Sequence, residues 1–389
     1  MFNYKVVSVN ERILLVRVST VVFFIAGILI SRKLWLSNRF FPVAPVFESS
    51  ISPNSFVDIT LFLGLLIGLS SILFFKEKLP VYFTLCVLLF LLIQDQMRWQ
   101  PWVYIYLLIL FCFAFRNNNS QLALFNSLQI ILVGVYLWSG LHKLNPNFVQ
   151  STFSAILAKL FHITSHSTIN SLLPLGYAIP LIEIFIGVAL YTTRFRNLGV
   201  AVAIATHAFI LTYLSPLGID YNYVVYPWNL AMIVFVLCLF YNVEGPMNFR
   251  QFETIKAKLL PLTMAIFVWL APILNLFGYW DSYLSFALYS DKLNSYYIAV
   301  EQNELVKIDK RLSKYFITIK GLSGGQIIDL NKWSLAELNV PFNPETRVFK
   351  KVASSFCQLQ IDNEKLVFLE CRQPLTKQNL RSFKCSDLH

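Results

Sequence analysis

Long apolar runs separated by short polar loops fill the first 290 residues of the chain. A helix needs about 20 apolar residues to cross a hydrocarbon core of about 30 Å, and most of the runs approach this length. Two consecutive runs are shorter, and the polar stretch "QDQMRWQP" joins them, so we expect this stretch to be buried in protein or to line water. The pattern predicts a mainly α fold, a polytopic transmembrane helical bundle over residues 1–290. The nine candidate spans are Ile13–Ile30, Phe56–Phe75, Pro80–Ile93, Trp102–Phe115, Leu122–Leu141, Tyr177–Tyr191, Val200–Leu214, Trp228–Tyr241 and Leu260–Phe277.

After about residue 290 the pattern changes to short segments in which apolar and polar residues alternate. The segments "YYIAVEQNELVKI", "KYFITIKGLSGGQIIDL" and "SFCQLQIDNEKLVFLECRQ" lie between turn-forming residues, which is typical of antiparallel strands. The sequence therefore predicts a small C-terminal β-rich extramembrane domain over residues 291–389.

Composition supports the membrane interpretation. The chain is 56% hydrophobic and 14% charged, whereas a soluble domain averages about 45–50% apolar and 25% charged residues. The net charge of +11 is divided between the two parts, with 17 Lys/Arg against 10 Asp/Glu up to residue 290 and 15 against 11 afterwards. In the first part the basic excess lies in short loops, as topogenic charge does. This distribution argues against a nucleic-acid partner.

The basic loops also predict an orientation. With nine spans, ten Lys/Arg residues fall on one side and six fall in the short loops of the other side. The positive-inside rule then places the N-terminus in the cytoplasm and the C-terminal tail outside. Ser31-Arg32-Lys33 follows the first run where a cleaved leader would have small residues, so we expect this run to be a retained span.

Two cysteines of the tail are candidates for a disulfide. Cys357 and Cys371 flank a predicted hairpin turn around residues 362–364, which would place them nearly opposite each other on two strands. An oxidising compartment would favour a bond between them, and two unbonded thiols are the alternative. Cys385 is then left over.

Ionisable residues within apolar spans are costly to bury and are functional candidates for that reason. For Glu183 the alternative is a structural carboxylate that pairs with a basic residue of another helix. For His207 it is a hydrogen-bonded core residue. Asp95 and Arg98 are three residues apart and would pair on one helical face.

His162 and His166 have the i, i+4 spacing of two metal ligands on one helix face. The sequence offers no HExxH pattern and no acidic residue nearby to complete a ligand set. We therefore expect no metal, and we interpret residues 152–163 as an amphipathic helix lying on the outer membrane face.

The stretch "YLWSGLHKLNPNF" (residues 136–148) ends a membrane-length run on a histidine, a lysine and a prolyl turn. It resembles a motif of the vitamin K-dependent γ-glutamyl carboxylase family and of its bacterial relatives, the horizontally transferred transmembrane domain proteins. The lysine regarded as the catalytic base in that family matches Lys143, and the family's preceding basic residue is replaced by His142. The alternative for Lys143 is an interfacial lysine that reaches towards the headgroups.

Three further stretches support this resemblance and occur in the family's order. "DQMRWQPWVYIY" keeps the pattern of Asp95 and Trp99, "PLIEIFIGVALYTTRFRNLG" keeps Glu183, and "THAFILTYLSPLG" keeps His207. Trp102 stands where the carboxylase has a histidine. The chain is also about half the length of the animal enzyme, so recognition of that enzyme's protein substrates is not implied.

The resemblance implies a pocket for a reduced quinone (vitamin K or menaquinol-like) at the outer end of the fifth span. A lysine in a water-poor pocket loses its proton more readily and can act as a general base. Gly140 would leave room for a flat ring, and aromatic side chains would form walls. The implied catalytic residues are Lys143, His142 and His207. The implied substrate-binding residues are Tyr136, Trp138, Gly140, Asp95, Trp99, Trp102 and Glu183.

The predicted function is therefore a quinol-linked carboxylase (a carbon–carbon lyase) or an oxygenase-type enzyme. It would act in a bacterial inner membrane, with membrane lipid and a protein or peptide substrate as partners. One alternative is a non-catalytic membrane module that binds lipid or a partner through the β-rich tail. Another is a transporter with a proton path through Glu183, Asp95 and His207, although the sequence has no inverted repeat.

Overall fold

The structure is a computed structural model that describes residues 7–47, 55–116, 121–219, 222–247, 255–318, 325–359, 361–362, 364–371 and 379–388. Asn363, in the predicted hairpin turn, lies outside the described residues. The chain is mainly helical, with a small antiparallel sheet near the C-terminus.

Every one of the nine predicted apolar runs coincides with a helix. We number these helices α1 (Val9–Ile30), α2 (Ser55–Phe74), α3 (Leu79–Gln94), α4 (Pro101–Phe115), α5 (Gln121–Lys143), α6 (Ala178–Tyr191), α7 (Arg196–Leu214), α8 (Val225–Phe240) and α9, which consists of Ile255–Ala265, the π-helical turn Ile266–Leu270 and Ala271–Asn275.

Six of the helical segments in the described part of the chain are long and apolar enough to cross a membrane, among them His166–Tyr191, which includes α6. The helices α3, α4 and α8 are apolar but shorter. In the apolar 18-residue stretch of α5, 78% of the residues are buried, against 28% in the corresponding stretches of α2 and α7. The bundle is therefore built around α5, while α2 and α7 present most of their apolar surface outwards.

Basic side chains at one end of the bundle bind backbone carbonyls at the C-terminal ends of helices. Arg12 donates to the last turn of α8, Arg17 to the last turn of α2 and Arg196 to the last turn of α6. Lys78 donates to the carbonyl that directly follows α4. These carbonyls have no partner within their own helices, and a cation there also complements the helix dipole. The contacts bring the start of α1 and the ends of α2, α4, α6 and α8 to one end of the bundle, as the predicted alternation requires.

The polar stretch between α3 and α4 is buried in protein, as predicted. Asp95 pairs with Arg39 at 2.5 Å, and neither side chain is exposed. The predicted pair between Asp95 and Arg98 is wrong. Arg98 instead donates to the carbonyls of Leu34, Trp35 and Leu91, because the helix breaks here leave buried carbonyls that need donors.

The tail contains a five-stranded antiparallel sheet in the order β2-β3-β1-β4-β5. Its strands are β1 (Ser295–Glu301), β2 (Phe316–Ile317), β3 (Gly325–Asp329), β4 (Leu366–Cys371) and β5 (Leu380–Phe383). Two helices, α10 (Leu330–Leu338) and α11 (Thr346–Cys357), belong to the same domain. Tyr296 of β1 stacks on Phe349 of α11 with ring centroids 4.5 Å apart, so α11 packs on one face of the sheet.

The strand predicted around Cys357 is wrong, because residues 346–357 form α11. The buried residues of α11 are Val348, Phe349, Val352, Ala353 and Phe356, and this spacing is the i, i+1, i+4, i+5, i+8 pattern of a helix face.

The predicted bond between Cys357 and Cys371 is wrong for the same reason. Cys357 is bonded to Cys385, with Cα atoms 5.8 Å apart. Cys371 is buried in β4, where its backbone lies opposite Ser295 of β1. A cysteine at the end of a helix is not in cross-strand register with β4, and the cysteine after β5 reaches it instead.

The tail packs against the end of the bundle opposite to Arg12. Glu337 accepts hydrogen bonds from the backbone of Phe40 and Phe41 at 2.7 and 3.1 Å. Gln100 donates to the carbonyl of Pro341, and Asn343 donates to that of Gln96. The tail therefore packs on the buried stretch between α3 and α4.

The disulfide provides a first test. Closing a loop of 28 residues stabilises a folded domain by about 3–4 kcal/mol in the chain-entropy account. We expect Cys357→Ser and Cys385→Ser each to lower the unfolding temperature of the tail to that of the reduced protein, while Cys86→Ala has no effect because Cys86 is exposed and unbonded. Thermal unfolding with and without reductant measures this, and non-reducing peptide mapping identifies the pair. A mapped Cys357–Cys371 peptide would contradict the structure.

Candidate functional site

A cavity of about 130 Å³ lies between the helices near the tail end of the bundle. It is formed by α4, α5, α6, α7 and α8, and residues 286–289 border it on the side of the tail. Most of its lining is apolar, with a few polar side chains that converge, which is typical of a small-molecule site. The polar and aromatic lining residues are Tyr136, Ser139, Lys143, Glu183, Thr206, His207, Trp228, Asn229, Phe286 and Tyr289.

Lys143 and Glu183 form an ion pair at the edge of this cavity. The ammonium of Lys143 lies 2.7 and 2.8 Å from the two carboxylate oxygens of Glu183 and also donates to Ser139 at 2.7 Å. The two side chains are 12% and 7% exposed. The predicted pairing of Glu183 with a basic residue of another helix is confirmed. Lys143 turns back into the bundle, where the carboxylate neutralises its charge.

Gly140 allows this pair to form but does not make room for a ligand. A Cβ atom at this position would lie 2.7 Å from the carbonyl oxygen of Pro180 and 2.9 Å from the backbone nitrogen of Ile184. The backbone of α6 therefore fills the space that was predicted for a ring. Small residues permit such close approach of membrane helices, and the approach brings Glu183 within reach of Lys143.

Three hydrogen-bonded side chains, Tyr136, His207 and Asn229, form a row along the same cavity from α5 to α8. The hydroxyl of Tyr136 lies 2.7 Å from Nε2 of His207, and Nδ1 of His207 lies 2.8 Å from Oδ1 of Asn229. The amide nitrogen of Asn229 donates to the carbonyl of Val225, so Oδ1 faces His207 and accepts a hydrogen bond from Nδ1–H. We therefore assign the neutral tautomer of His207 with a free lone pair on Nε2, to which Tyr136 donates.

Lys143, Tyr136, Glu183 and His207 are the predicted site residues that line the cavity. His142 and Trp138 do not line it. Their rings pack against each other with centroids 5.6 Å apart and planes tilted by 33°. His142 is buried against the tail side, where it is hydrogen-bonded to the backbone of Ser285. His142, which the resemblance implies as a catalytic residue, therefore lies outside the cavity lining, because residues 142 and 143 point in different directions from the end of α5.

Asp95, Trp99 and Trp102 also lie away from the cavity lining. Asp95 belongs to the pair with Arg39, and Trp99 donates to the carbonyl of Leu92. Trp102 packs against Gly27 of α1, where an added Cβ would lie 2.9 Å from its ring. These residues hold the surrounding helices in position and do not line the cavity.

Asn229 and Ser139 line the cavity but were not predicted. Asn229 lies in "YPWNLAM", where it is the amide in an otherwise apolar run, and a buried amide within a span is a signal that could have been used. Ser139 lies four residues before Lys143 and three after Tyr136, so all three share one stripe of α5.

The structure separates the two histidines that were considered as a metal pair. His162 has a left-handed backbone with φ of 55°, and His166 begins a new helix, His166–Leu172. They therefore do not share a helix face. Among the described residues, no group of three or more His, Cys, Asp or Glu side chains is placed to hold a metal ion. The helix predicted at residues 152–163 is found earlier, over Pro146–Phe148, Val149–Phe153 and Ser154–Lys159.

The ion pair gives a prediction about stability. Removing one partner leaves the other charge buried and uncompensated, which costs about 3 kcal/mol, whereas replacing both by apolar residues is nearly neutral. We expect Lys143→Met and Glu183→Leu each to lower the unfolding temperature clearly, and the double variant to recover most of the loss. Thermal unfolding of the purified wild type, the two single variants and the double variant measures these losses. Additive losses in the double variant would show that the two groups act independently.

Comparison with known proteins adds no family to this description. No protein-family model matches the chain, and no curated protein and no solved structure is similar to it. The resemblance to the carboxylase family therefore stays a prediction, and the functional argument depends on the site itself.

Proposed function

We propose that this chain is a multi-spanning membrane enzyme that binds a small, ring-shaped, hydroxyl-bearing molecule in the cavity and removes a proton from it. The reduced head of a quinone is the candidate that the resemblance suggests. The observation that carries the proposal is the hydrogen-bonded chain Tyr136–His207–Asn229 along the cavity wall.

The chain of three residues suits proton transfer. A ligand hydroxyl that donates to the Tyr136 oxygen can pass its proton there, while the phenolic proton moves to Nε2 of His207. Asn229 keeps Nδ1 protonated and so keeps the accepting nitrogen directed at Tyr136. The products are a ligand oxyanion and an imidazolium. Burial disfavours that imidazolium, and the charge of Glu183 favours it while that of Lys143 opposes it.

This proposal gives Lys143 a different role from the predicted base. An ammonium held between Glu183 and Ser139 has no lone pair and cannot accept a proton. Lys143 and Glu183 both line the cavity, and the ammonium offsets the carboxylate charge that would otherwise oppose an oxyanion there. In the chemistry that the resemblance implies, a quinol anion of this kind reacts with oxygen.

The size of the cavity limits the ligand. A cavity of about 150 Å³ holds benzene, and this cavity measures about 130 Å³. A head of one ring therefore fits better than the fused two-ring head of a naphthoquinol, which would require the lining to move apart.

We propose nine spans, with the N-terminus in the cytoplasm and the tail outside, in a bacterial inner membrane. Two observations support this orientation. The helix ends near Arg12 carry the basic capping residues, and the tail, which packs at the other end, contains a disulfide. Disulfides persist in oxidising compartments.

The second candidate is a non-catalytic module in which the cavity holds lipid without turnover. The neutralised Lys143 and the space filled at Gly140 favour it, because both are structural roles. Mass spectrometry of lipid bound to the purified protein separates the two candidates. A quinone in the preparation supports the enzyme, and phospholipid alone supports the module.

The hydroxyl of Tyr136 provides the direct test. Tyr136→Phe removes one oxygen and keeps the ring, so we expect quinol-dependent oxygen uptake to fall about 100-fold or more, the usual contribution of a positioned acid–base group. Tyr104→Phe is the matched control, because Tyr104 is a buried tyrosine of α4 outside the cavity lining. Oxygen uptake is measured with single-ring and two-ring quinols. Equal activity in the two variants would rule out the Tyr136–His207 path.

Reporter fusions test the proposed orientation. A fusion after Phe115, at the end of α4, should report the cytoplasm, because that helix end lies beside the basic capping residues. A fusion after His389 should report the outside. A cytoplasmic signal from the second fusion would show that the count of nine spans is wrong.

A further inference from the structure

The cavity has a neighbour on the tail side of the bundle. An outer crevice of about 230 Å³ lies at the tail and is lined by apolar residues and by polar ones, the polar ones including Asp291, Asn294 and Asn331. Leu288 and Tyr289 line both the outer crevice and the cavity. The two spaces are therefore separated by the side chains of one short segment.

The backbone of that segment is unusual. Phe286, Tyr289 and Asp291 all have left-handed backbones, with φ of 63°, 58° and 53°. Bulky residues rarely adopt this conformation, and it persists only where the surroundings hold it in place. Three such residues within six positions show that residues 286–291 are held in shape by their contacts.

Those contacts come from two connections of the bundle, the one between α5 and α6 and the one before α8. Asn145, after α5, donates to the carbonyl of Ser290 at 2.8 Å. Asn222, before α8, donates to the hydroxyl of Tyr289. Thr152 donates to Asp291 from its backbone at 3.2 Å and from its hydroxyl at 2.5 Å.

Asp291 shows how closely the segment is enclosed. Burial raises the pKa of Asp291, and the hydrogen bonds from Thr152 and Ser151 oppose that rise. Ser290 is thus held through its main-chain carbonyl and Asp291 through its carboxylate, whereas the hydrogen bond from Asn222 reaches the hydroxyl of the Tyr289 side chain. Because Tyr289 borders both spaces, rotation of its side chain is a movement that can connect them without a change of the backbone.

We infer that the outer crevice admits a small, water-soluble, polar reactant to the cavity, and that Tyr289 is the partition it must pass. The inference depends on the proposed function only for identifying the cavity as the place of reaction. A lipid-soluble molecule would need no such route. The carboxylate and amides of the crevice suit a solute that forms hydrogen bonds, and they do not suit an acyl chain.

Access to the cavity can be measured without any turnover. Met232 lines the cavity but not the crevice and is 1% exposed, so Met232→Cys places a thiol behind the partition. The purified full-length protein is treated with a charged, membrane-impermeant ethyl methanethiosulfonate, and labelling at position 232 is followed by peptide mass spectrometry. The mapping distinguishes this thiol from the native cysteines.

Tyr289→Ala removes the side chain that borders both spaces, so we expect it to raise the labelling rate at position 232 by about tenfold or more. A tenfold change corresponds to about 1.4 kcal/mol in the balance of closed and open states. Tyr223→Ala is the matched control. Tyr223 is an exposed tyrosine just before α8, next to Asn222, and does not line the cavity. Its replacement should therefore leave the labelling rate unchanged. If Tyr289→Ala does not fold, Tyr289→Gly replaces it, because glycine adopts this backbone without strain.

A second substitution tests the route itself. Asn331→Trp fills the outer crevice, and in the Tyr289→Ala background it should return the labelling rate towards that of Met232→Cys alone. An unchanged rate in a folded Tyr289 variant would overturn the partition, and a rate insensitive to Asn331→Trp would overturn the crevice as the route. Neither result depends on quinol-dependent activity, so failure of this inference is distinct from failure of the proposed function.

Discussion

Every polar group within an apolar bundle must find its partner inside the protein, and this constraint explains most of the side-chain contacts described above. Arginines and a lysine close the carbonyl ends of four helices at one end. At the other end the guanidinium of Arg98 satisfies the carbonyl of Leu34, which follows α1, and that of Leu91 in the last turn of α3. The ion pair of Lys143 and the chain through His207 satisfy the same requirement beside the cavity. The residues that give the site its chemistry are also residues that the bundle needs in order to fold.

The sequence predicted the helices well because hydrophobic runs of membrane length leave few alternatives. It also predicted that Glu183 would have a basic partner, since an isolated carboxylate at that depth is too costly. It did not identify Arg39 as the partner of Asp95, because the pair joins residues 56 positions apart. Spacing along a helix predicts only local pairs, and here the long-range pair is the one that forms.

The errors at Gly140 and at Cys357 have a common origin. A glycine in a span is compatible with an open space and with close helix packing, and only the position of α6 decides between them. A short segment around Cys357 is compatible with a strand and with a helix, and the spacing of Val348, Val352 and Phe356 decides for the helix. In both places one local pattern is compatible with two structures. At Gly140 only the neighbouring helix decides between them, whereas at Cys357 the helical spacing was itself present in the sequence.

Residues 286–289 border the cavity, yet they lie at the position where the composition changes from membrane-like to strand-like. The boundary at residue 290 that is visible in the sequence therefore does not separate two independent units. A chimera joined there would combine one protein's helices with another protein's contacts to the cavity border, including those of Ser290 and Asp291. Exchange of tails between related chains would preserve these contacts only if the crossover lay well inside the sheet.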